Sequence, residues 1–283
     1  MDSDRFSEWI GRTETSRDRI IAGSARAMAA TLDRETSPTA DGMPLPPLWH
    51  WLYFLETPRS CELGTDGHMK RGGFLPPIEL PRRMWAGSRL RFHQPLRLGE
   101  QAERVSRIAH VEEKHGRSGQ LAIVTVEHRI NGASGPAITD EHDIVYREEP
   151  RPDAPIPPGK EPPADAVWSV ARSADPIMLF RYSALTFNSH RIHYDEPYAT
   201  GVEGYSGLVV HGPLVATLLA EECATWLPER AITALHVRAL RPLYHGTTFH
   251  LCGRPASDGS TVDLWCVDEV GAMTMEVTVE LAD

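Results

Sequence analysis

The stretch Phe180-Arg181-Tyr182-Ser183-Ala184-Leu185-Thr186-Phe187-Asn188-Ser189-His190-Arg191-Ile192-His193-Tyr194-Asp195 gathers histidines, tyrosines, an amide and a carboxylate into one short segment. A further histidine follows at His211, in Val209-Val210-His211-Gly212-Pro213-Leu214. Only imidazole titrates close enough to neutrality to take and return protons easily, so a histidine among such partners is a candidate acid/base group. The plainer alternative is a polar loop that caps the next helix. Gly212 before Pro213 has its own rationale, because a helix start presents free N–H groups and the positive end of the helix dipole to a developing oxyanion. Simple helix capping uses the same Gly-Pro grammar.

Elements on either side must position these groups. Pro213 to Trp226 reads as a helix with apolar spacing at Leu214, Leu218 and Leu219, and Thr15 to Leu32 reads as a surface helix. Leu48 to Leu55, strongly apolar and aromatic, reads as a further helical pattern. Strand patterns cover Leu90 to Gln94, Ala102 to Glu113, Gln120 to Ile130 and Ala137 to Tyr146, with turn signals at Gly116-Arg117-Ser118-Gly119 and Asn131-Gly132. A second series covers Ile232 to Leu240, Thr247 to Arg254, Val262 to Val267 and Met273 to Leu281. Pro95-Leu96 leading to Gly99 and Pro242-Leu243 leading to Gly246 share one spacing, so the halves read as a diverged duplication. Helices segregated from antiparallel sheets give an α+β architecture, and an apolar helix wrapped by such a sheet is a hot-dog unit. The expectation is a double hot-dog: a non-catalytic unit at residues 1–148 that closes the acyl cleft, a proline-rich linker at 149–165, and a catalytic unit at 166–283.

The 283 residues are 41% apolar and 24% charged, the composition of a globular protein with a real core. A formal charge of −10 opposes nucleic-acid and anionic-membrane binding. No apolar run reaches the roughly 20 residues of a membrane span, and the N-terminus has no secretory pattern, so a cytoplasmic protein is expected. Cys61, Cys223, Cys252 and Cys266 form no Cys-x-x-Cys pair and are expected to be reduced. His190-x-x-His193 with His211 lacks the zincin spacing, Gly204-Tyr205-Ser206-Gly207 lacks a serine-hydrolase elbow, and neither a metal nor another cofactor is expected.

The octet Thr186 to His193 resembles the Ser-Gly-Asp-x-Asn-Pro-hydrophobic-His signature of MaoC-like enoyl-thioester hydratases. His193 falls on the catalytic histidine, while Asn188 stands where that family has aspartate, His190 where it has asparagine and Arg191 where it has proline. A longer similarity runs through Trp9-Ile10-Gly11-Arg12, Pro47-Leu48-Trp49-His50-Trp51, Gly72-Gly73-Phe74-Leu75-Pro76-Pro77, Leu80-Pro81-Arg82-Arg83-Met84-Trp85-Ala86-Gly87, Phe180 to Asp195 and His211-Gly212-Pro213. There the chain resembles the mesaconyl-CoA hydratase and hydroxyacyl-thioester dehydratase type 2 branch. The resemblance implies a double hot-dog with a catalytic C-terminal half that adds water reversibly to an enoyl thioester. Mesaconyl-C(4)-CoA or itaconyl-CoA, hydrated to citramalyl-CoA, are the implied substrates.

On that reading His193 activates water and Asn188 orients it. The α-carbon proton comes from His193 itself, Asp195 or Tyr182, or else Asp195 orients the imidazole. A dicarboxylate half-thioester needs a fork of N–H donors for its free carboxylate, and Arg191 is the first candidate, ahead of Arg181, Arg82 and Arg83. Gly212, His211, His190 and Tyr182 complete the expected substrate-contacting set. Competing readings are a 3-hydroxyacyl-thioester dehydratase of fatty-acid synthesis acting on a carrier-protein or CoA thioester, a hot-dog thioesterase, and a non-catalytic acyl-thioester-binding protein. Homo-oligomerisation is left open.

Overall fold

The computed structural model describes residues 6–116, 119–149 and 159–282. The expected turn at Arg117-Ser118 and most of the proline-rich linker lie outside these residues.

The first half supplies β1 (Thr13–Arg19), α1 (Ala22–Thr31), β2 (Arg82–Phe92), β3 (Gln101–Gly116), β4 (Gly119–Gly132) and β5 (Gly135–Arg147). The second supplies β6 (Trp168–Ser173), α2 (Pro176–Leu185), α3 (Glu196–Gly201), α4 (Gly212–Trp226), β7 (Ile232–Ala239), β8 (Thr248–Pro255), β9 (Thr261–Val267) and β10 (Met273–Leu281). All ten strands form one antiparallel sheet in the order β1-β3-β4-β5-β2-β7-β10-β9-β8-β6. Read outward from the centre, the two sides repeat: β2, β5, β4, β3, β1 on one and β7, β10, β9, β8, β6 on the other. The shared Pro-Leu-x-x-Gly corners occupy matching places as well. Leu96 accepts a backbone hydrogen bond from Leu45, and Leu243 accepts one from Val210, both at 2.8 Å. The expected α+β double hot-dog is the architecture found.

The halves meet where β2 pairs with β7 from Gly87↔Arg238 to Arg91↔Ala234. Gly87 sits at an irregularity in β2, and a Cβ there would lie 2.1 Å from the Val237 carbonyl oxygen. Only glycine lets the two backbones approach so closely.

Helix α4 explains the second half. Leu214, Val215, Ala216, Thr217, Leu218, Leu219, Ala220 and Cys223 are all buried, so the helix is enclosed nearly all round, with β7 to β10 and β2 around it. Each large side chain buried there contributes about 1.5–3 kcal/mol. Cys223, Cys252 and Cys266 are buried free thiols, whereas Cys61 is exposed.

Two helix expectations need correction. Thr15 to Leu32 is not one helix: strand β1 runs to Arg19 and pairs with β3, and α1 begins only at Ala22. The alternating exposure along Thr13-Glu14-Thr15-Ser16-Arg17 is a strand signature at the sheet edge. Leu48 to Leu55 holds only a single 3₁₀ turn, Trp49–Leu52, bounded by left-handed Leu48 (φ 68°) and Phe54 (φ 56°). Those conformations cannot continue a right-handed helix. Where the second half has the fifteen residues of α4, the first therefore has one turn.

Candidate active site

The sequence reading took Phe180 to Asp195 as one polar segment, but its first part is the end of α2. Asp175 caps that helix by accepting from the Met178 N–H at 2.7 Å. At the other end Phe187 turns left-handed (φ 50°), Asn188 donates its N–H to the Ser183 carbonyl at 2.9 Å, and Phe187 donates to Ala184. This Schellman-type closure turns Asn188 out of the helix into a cleft. The Asn188 Oδ1 accepts the His190 N–H at 3.0 Å, so its NH₂ end is the one left for the cleft.

His193 lies at the end of the 3₁₀ turn Arg191–His193 and is only 7% exposed. Its Nδ1–H donates to the Val209 carbonyl at 2.7 Å, which leaves Nε2 as an acceptor. Burial pushes its pKa down to about 4, so the imidazole is neutral at physiological pH. His211 stacks on it at 3.7 Å between ring centroids and is tied through Nε2 to the Ser183 hydroxyl at 2.9 Å. The His211 Nδ1 is buried without a partner, and burial keeps this ring neutral too. Tyr182 is buried against His211, its hydroxyl beside Thr217, and burial pushes its pKa up, so it is not an acid of neutral solution.

Gly212 opens α4 without a side-chain cap, and Pro213 has no N–H, so the Gly212 N–H stands at the positive end of the helix. A Cβ at Gly212 would come within 2.7 Å of the Trp85 ring, which explains the residue independently of any ligand. Gly212, His193, His190, His211 and Asn188 line a cleft of about 450 Å³ together with Arg82 and Arg83 from β2. An adjoining cleft of about 390 Å³ shares Arg83, Trp85, Asn188 and Pro213 and continues past Tyr182 into the first half.

Two expected roles do not match this geometry. Asp195 does not touch His193: it caps α3 by accepting from the Tyr198 N–H at 3.1 Å and receives Arg191 Nε and Nη2 at 3.0 and 2.7 Å. The Val209 carbonyl holds the imidazole instead. Arg191 has its fork filled by Asp195, donates its remaining nitrogen to the Thr65 carbonyl at 3.0 Å, and lies over the Tyr198 ring, so it is committed inside the protein. Arg82 pairs with Glu203 at 3.7 Å, and Arg181 is exposed to solvent. Arg83 is left. It faces both clefts beside Tyr146, and no carboxylate among the described residues forms an ion pair with it.

The first half contributes more than the sequence reading expected. A tight loop, Gly64 to His68, docks onto the segment that carries Asn188 and His193: the Asp66 carbonyl accepts from the Arg191 N–H at 2.9 Å, and the Gly67 carbonyl accepts from the Ser189 hydroxyl at 2.6 Å. It brings the His68 ring to 4.0 Å from that of His190, and His68 lines both clefts. The Gly-x-Asp-Gly turn is visible in sequence; where it docks is not. Asp66, His68 and His190 place ligand atoms within 4.8 Å of one another, two of the three being joined by the hydrogen bond from His68 Nδ1 to Asp66 at 3.0 Å.

A second polar group lies deeper in the first half. The Asp140 carboxylate, 1% exposed, receives Trp51 Nε1 at 2.8 Å and His142 and His50 at 2.7 and 3.2 Å. These partners hold its pKa well below the usual carboxylate range although burial opposes them.

Comparison with known proteins gives concordant matches. A model of the family described as hydroxyacyl-thioester dehydratase type 2 matches residues 48–245. The chain is 49% identical over 285 residues to the mesaconyl-C(4)-CoA hydratase of Chloroflexus aurantiacus, covering 99% of each protein. Among solved structures, a MaoC-like dehydratase superposes with a TM-score of 0.73 at 13% identity, over 98% of this chain and 99% of that one. A Mycobacterium tuberculosis protein described as a double hotdog fold gives 0.59 at 13% identity, over 96% of each chain.

Proposed function

The chain belongs to the hydroxyacyl-thioester dehydratase type 2 family, and from that premise we propose that it hydrates an enoyl-CoA whose acyl group carries a free carboxylate, mesaconyl-C(4)-CoA above all, to citramalyl-CoA. The observation that carries the proposal is His193: one ring nitrogen is fixed by a backbone carbonyl and the ring faces a cleft shared with Asn188, Arg83 and the start of α4.

The chemistry follows from those positions. Water held by the Asn188 amide loses a proton to His193 Nε2 as its oxygen attacks the β-carbon. The displaced π electrons move onto the thioester oxygen, where the Gly212 N–H and the helix dipole stabilise negative charge. A proton then reaches the α-carbon. Asn188 carries no charge, so it orients the water without acting as acid or base.

In mesaconyl-C(4)-CoA the carboxylate sits on the β-carbon itself, one bond from the point of attack. Its counter-ion must therefore reach the cleft that His193 faces, and Arg83 lines that cleft.

The test is turnover of mesaconyl-C(4)-CoA, itaconyl-CoA, crotonyl-CoA and a longer 2-enoyl thioester, with hydrated product and free thiol followed separately. Hydration of the dicarboxylate substrate, abolished in His193→Ala, supports the reading. Preference for the long chain indicates a fatty-acid dehydratase, thiol release a thioesterase, and binding without turnover a carrier of acyl thioesters.

A further inference from the structure

Hydration moves two protons: His193 takes the first, Asn188 stands in place of a carboxylate, and Asp195 and Tyr182 are placed elsewhere, so the second comes either back from His193 or from a further acid. The docked loop of the first half supplies one. Asp66 accepts both the His68 N–H, through Oδ1 at 3.0 Å, and the His68 Nδ1–H, through Oδ2 at 3.0 Å. The carboxylate thus fixes the tautomer and orientation of the ring and leaves Nε2 for the cleft. The loop itself is fixed by the Arg191 N–H on the Asp66 carbonyl, Arg191 Nη1 on the Thr65 carbonyl and the Ser189 hydroxyl on the Gly67 carbonyl. From there rings continue toward the base: His68 to His190 at 4.0 Å, His190 to His193 at 5.5 Å.

We propose that His68, held by Asp66, is a catalytic residue of this hydration: as the imidazolium, formed with substrate in place, its Nε2–H protonates the α-carbon, and in the reverse direction the Nε2 of the neutral ring removes the α-proton. The proposal rests on the hydratase reading above.

The step balances. His193 Nε2 takes a proton from water, the C–O bond forms at the β-carbon, the π pair passes into the enolate, and the enolate collapses onto the proton leaving His68. Relative to the starting state His193 then holds one proton more and His68 one fewer, and exchange with solvent water restores both without any co-reactant. The groups facing His68 set its readiness to carry that proton. Burial, the largest influence, and the Arg83 and Arg71 charges hold its pKa below the ordinary imidazole value although Asp66 raises it, so the ring is neutral in the empty cleft. A substrate carboxylate on Arg83 cancels one of the opposing charges, so seating the substrate favours the protonated ring.

The experiment uses the enoyl-CoA that the full-length protein hydrates fastest and compares wild type with His68→Gln and Asp66→Asn. It reads kcat, KM, the pH profile, and washout of the product's α-hydrogen in D₂O. The His68→Gln variant is expected to lose about 100-fold or more in kcat, with KM within about threefold and α-hydrogen washout lost in parallel. Asp66→Asn keeps the turn but removes the charge that raises the His68 pKa. Activity falls as pH rises through that pKa, so this limb is expected to shift to lower pH, which a structural role alone would not cause. Retention of kcat within about fivefold in His68→Gln overturns the proposal. So does loss of wild-type activity on dialysis against EDTA with recovery on Zn²⁺, which would make Asp66, His68 and His190 a metal site. A wild type that hydrates no thioester refutes the hydratase reading and this role with it, an outcome separable from an active wild type with an equally active His68→Gln.

Discussion

Replacing Gly67 by alanine tests the docking of the first half onto the second. At this position φ is +88°, and an added Cβ would lie 1.9 Å from the Ser189 carbonyl oxygen, a backbone atom that no rotamer change can move aside. Ordinary contact requires about 3.4 Å, so one segment must recede by roughly 1.5 Å. The left-handed conformation costs a side chain about 1–2 kcal/mol. Receding also breaks the 2.6 Å bond from Ser189 to Gly67 and the 2.9 Å bond from Arg191 to Asp66, about 1 kcal/mol each. The total is about 3–4 kcal/mol, confined to one loop. A displacement of that size at a reacting group lowers kcat by about 100-fold. Gly73→Ala is the control, because nothing lies within 4 Å of its added Cβ and its φ is ordinary. Urea unfolding and steady-state hydration are measured on both variants. Gly67→Ala with wild-type midpoint and kcat would refute the reasoning, as would a Gly73→Ala variant equally impaired.

Three other outcomes follow from particular contacts. Arg83→Gln is expected to raise KM for mesaconyl-C(4)-CoA at least tenfold and leave crotonyl-CoA nearly unaffected, and equal effects on both substrates would remove Arg83 as the carboxylate partner. Asp140→Asn strips the charge from Trp51, His50 and His142 and is expected to cost about 3 kcal/mol at pH 7 in urea unfolding. Because folding depresses the Asp140 pKa, that stabilisation is full above the unfolded carboxylate pKa of about 4 and fades as pH falls through the folded value, so the gap between variant and wild type should narrow in acid. Leu214→Ala, in the wholly enclosed part of α4, is expected to destabilise by about 3–5 kcal/mol in the same assay.

Much of the scaffold was readable because its pattern is local. The eight strands of the two series are β-rich runs bounded by turn signals, and the Gly-Pro start of α4 is where the sequence puts it. Strand β6 and helix α2 escaped notice: β6 is a six-residue edge strand, and α2 is short and ends inside the polar segment. The expected helix at Leu48 to Leu55 failed because apolar content measures burial, not helicity, and Leu48 and Phe54 adopt left-handed backbone. At the site, His193 was legible as a residue type in a motif, but the Val209 carbonyl that orients it is a backbone atom that no motif records. The internal commitment of Arg191 did leave a trace: Asp195 stands four residues on, a spacing at which opposite charges pair. His68 left only a turn, because its importance depends on a contact across more than a hundred residues of chain.

The mirrored strand order has a consequence for how the two halves came to differ. In a dimer of identical hot-dog chains every substitution appears twice, so shortening the central helix would hollow out both subunits together. Joined in one polypeptide, the copies are released from that constraint. One keeps the fifteen-residue α4 as its support, while the other keeps a single turn at Trp49–Leu52 and turns the vacated room into the histidine- and arginine-lined recess. Specialisation of this kind halves the number of sites: among the described residues one cleft has Asn188, His193 and the start of a long helix together, where a dimer of identical units repeats every such group twice.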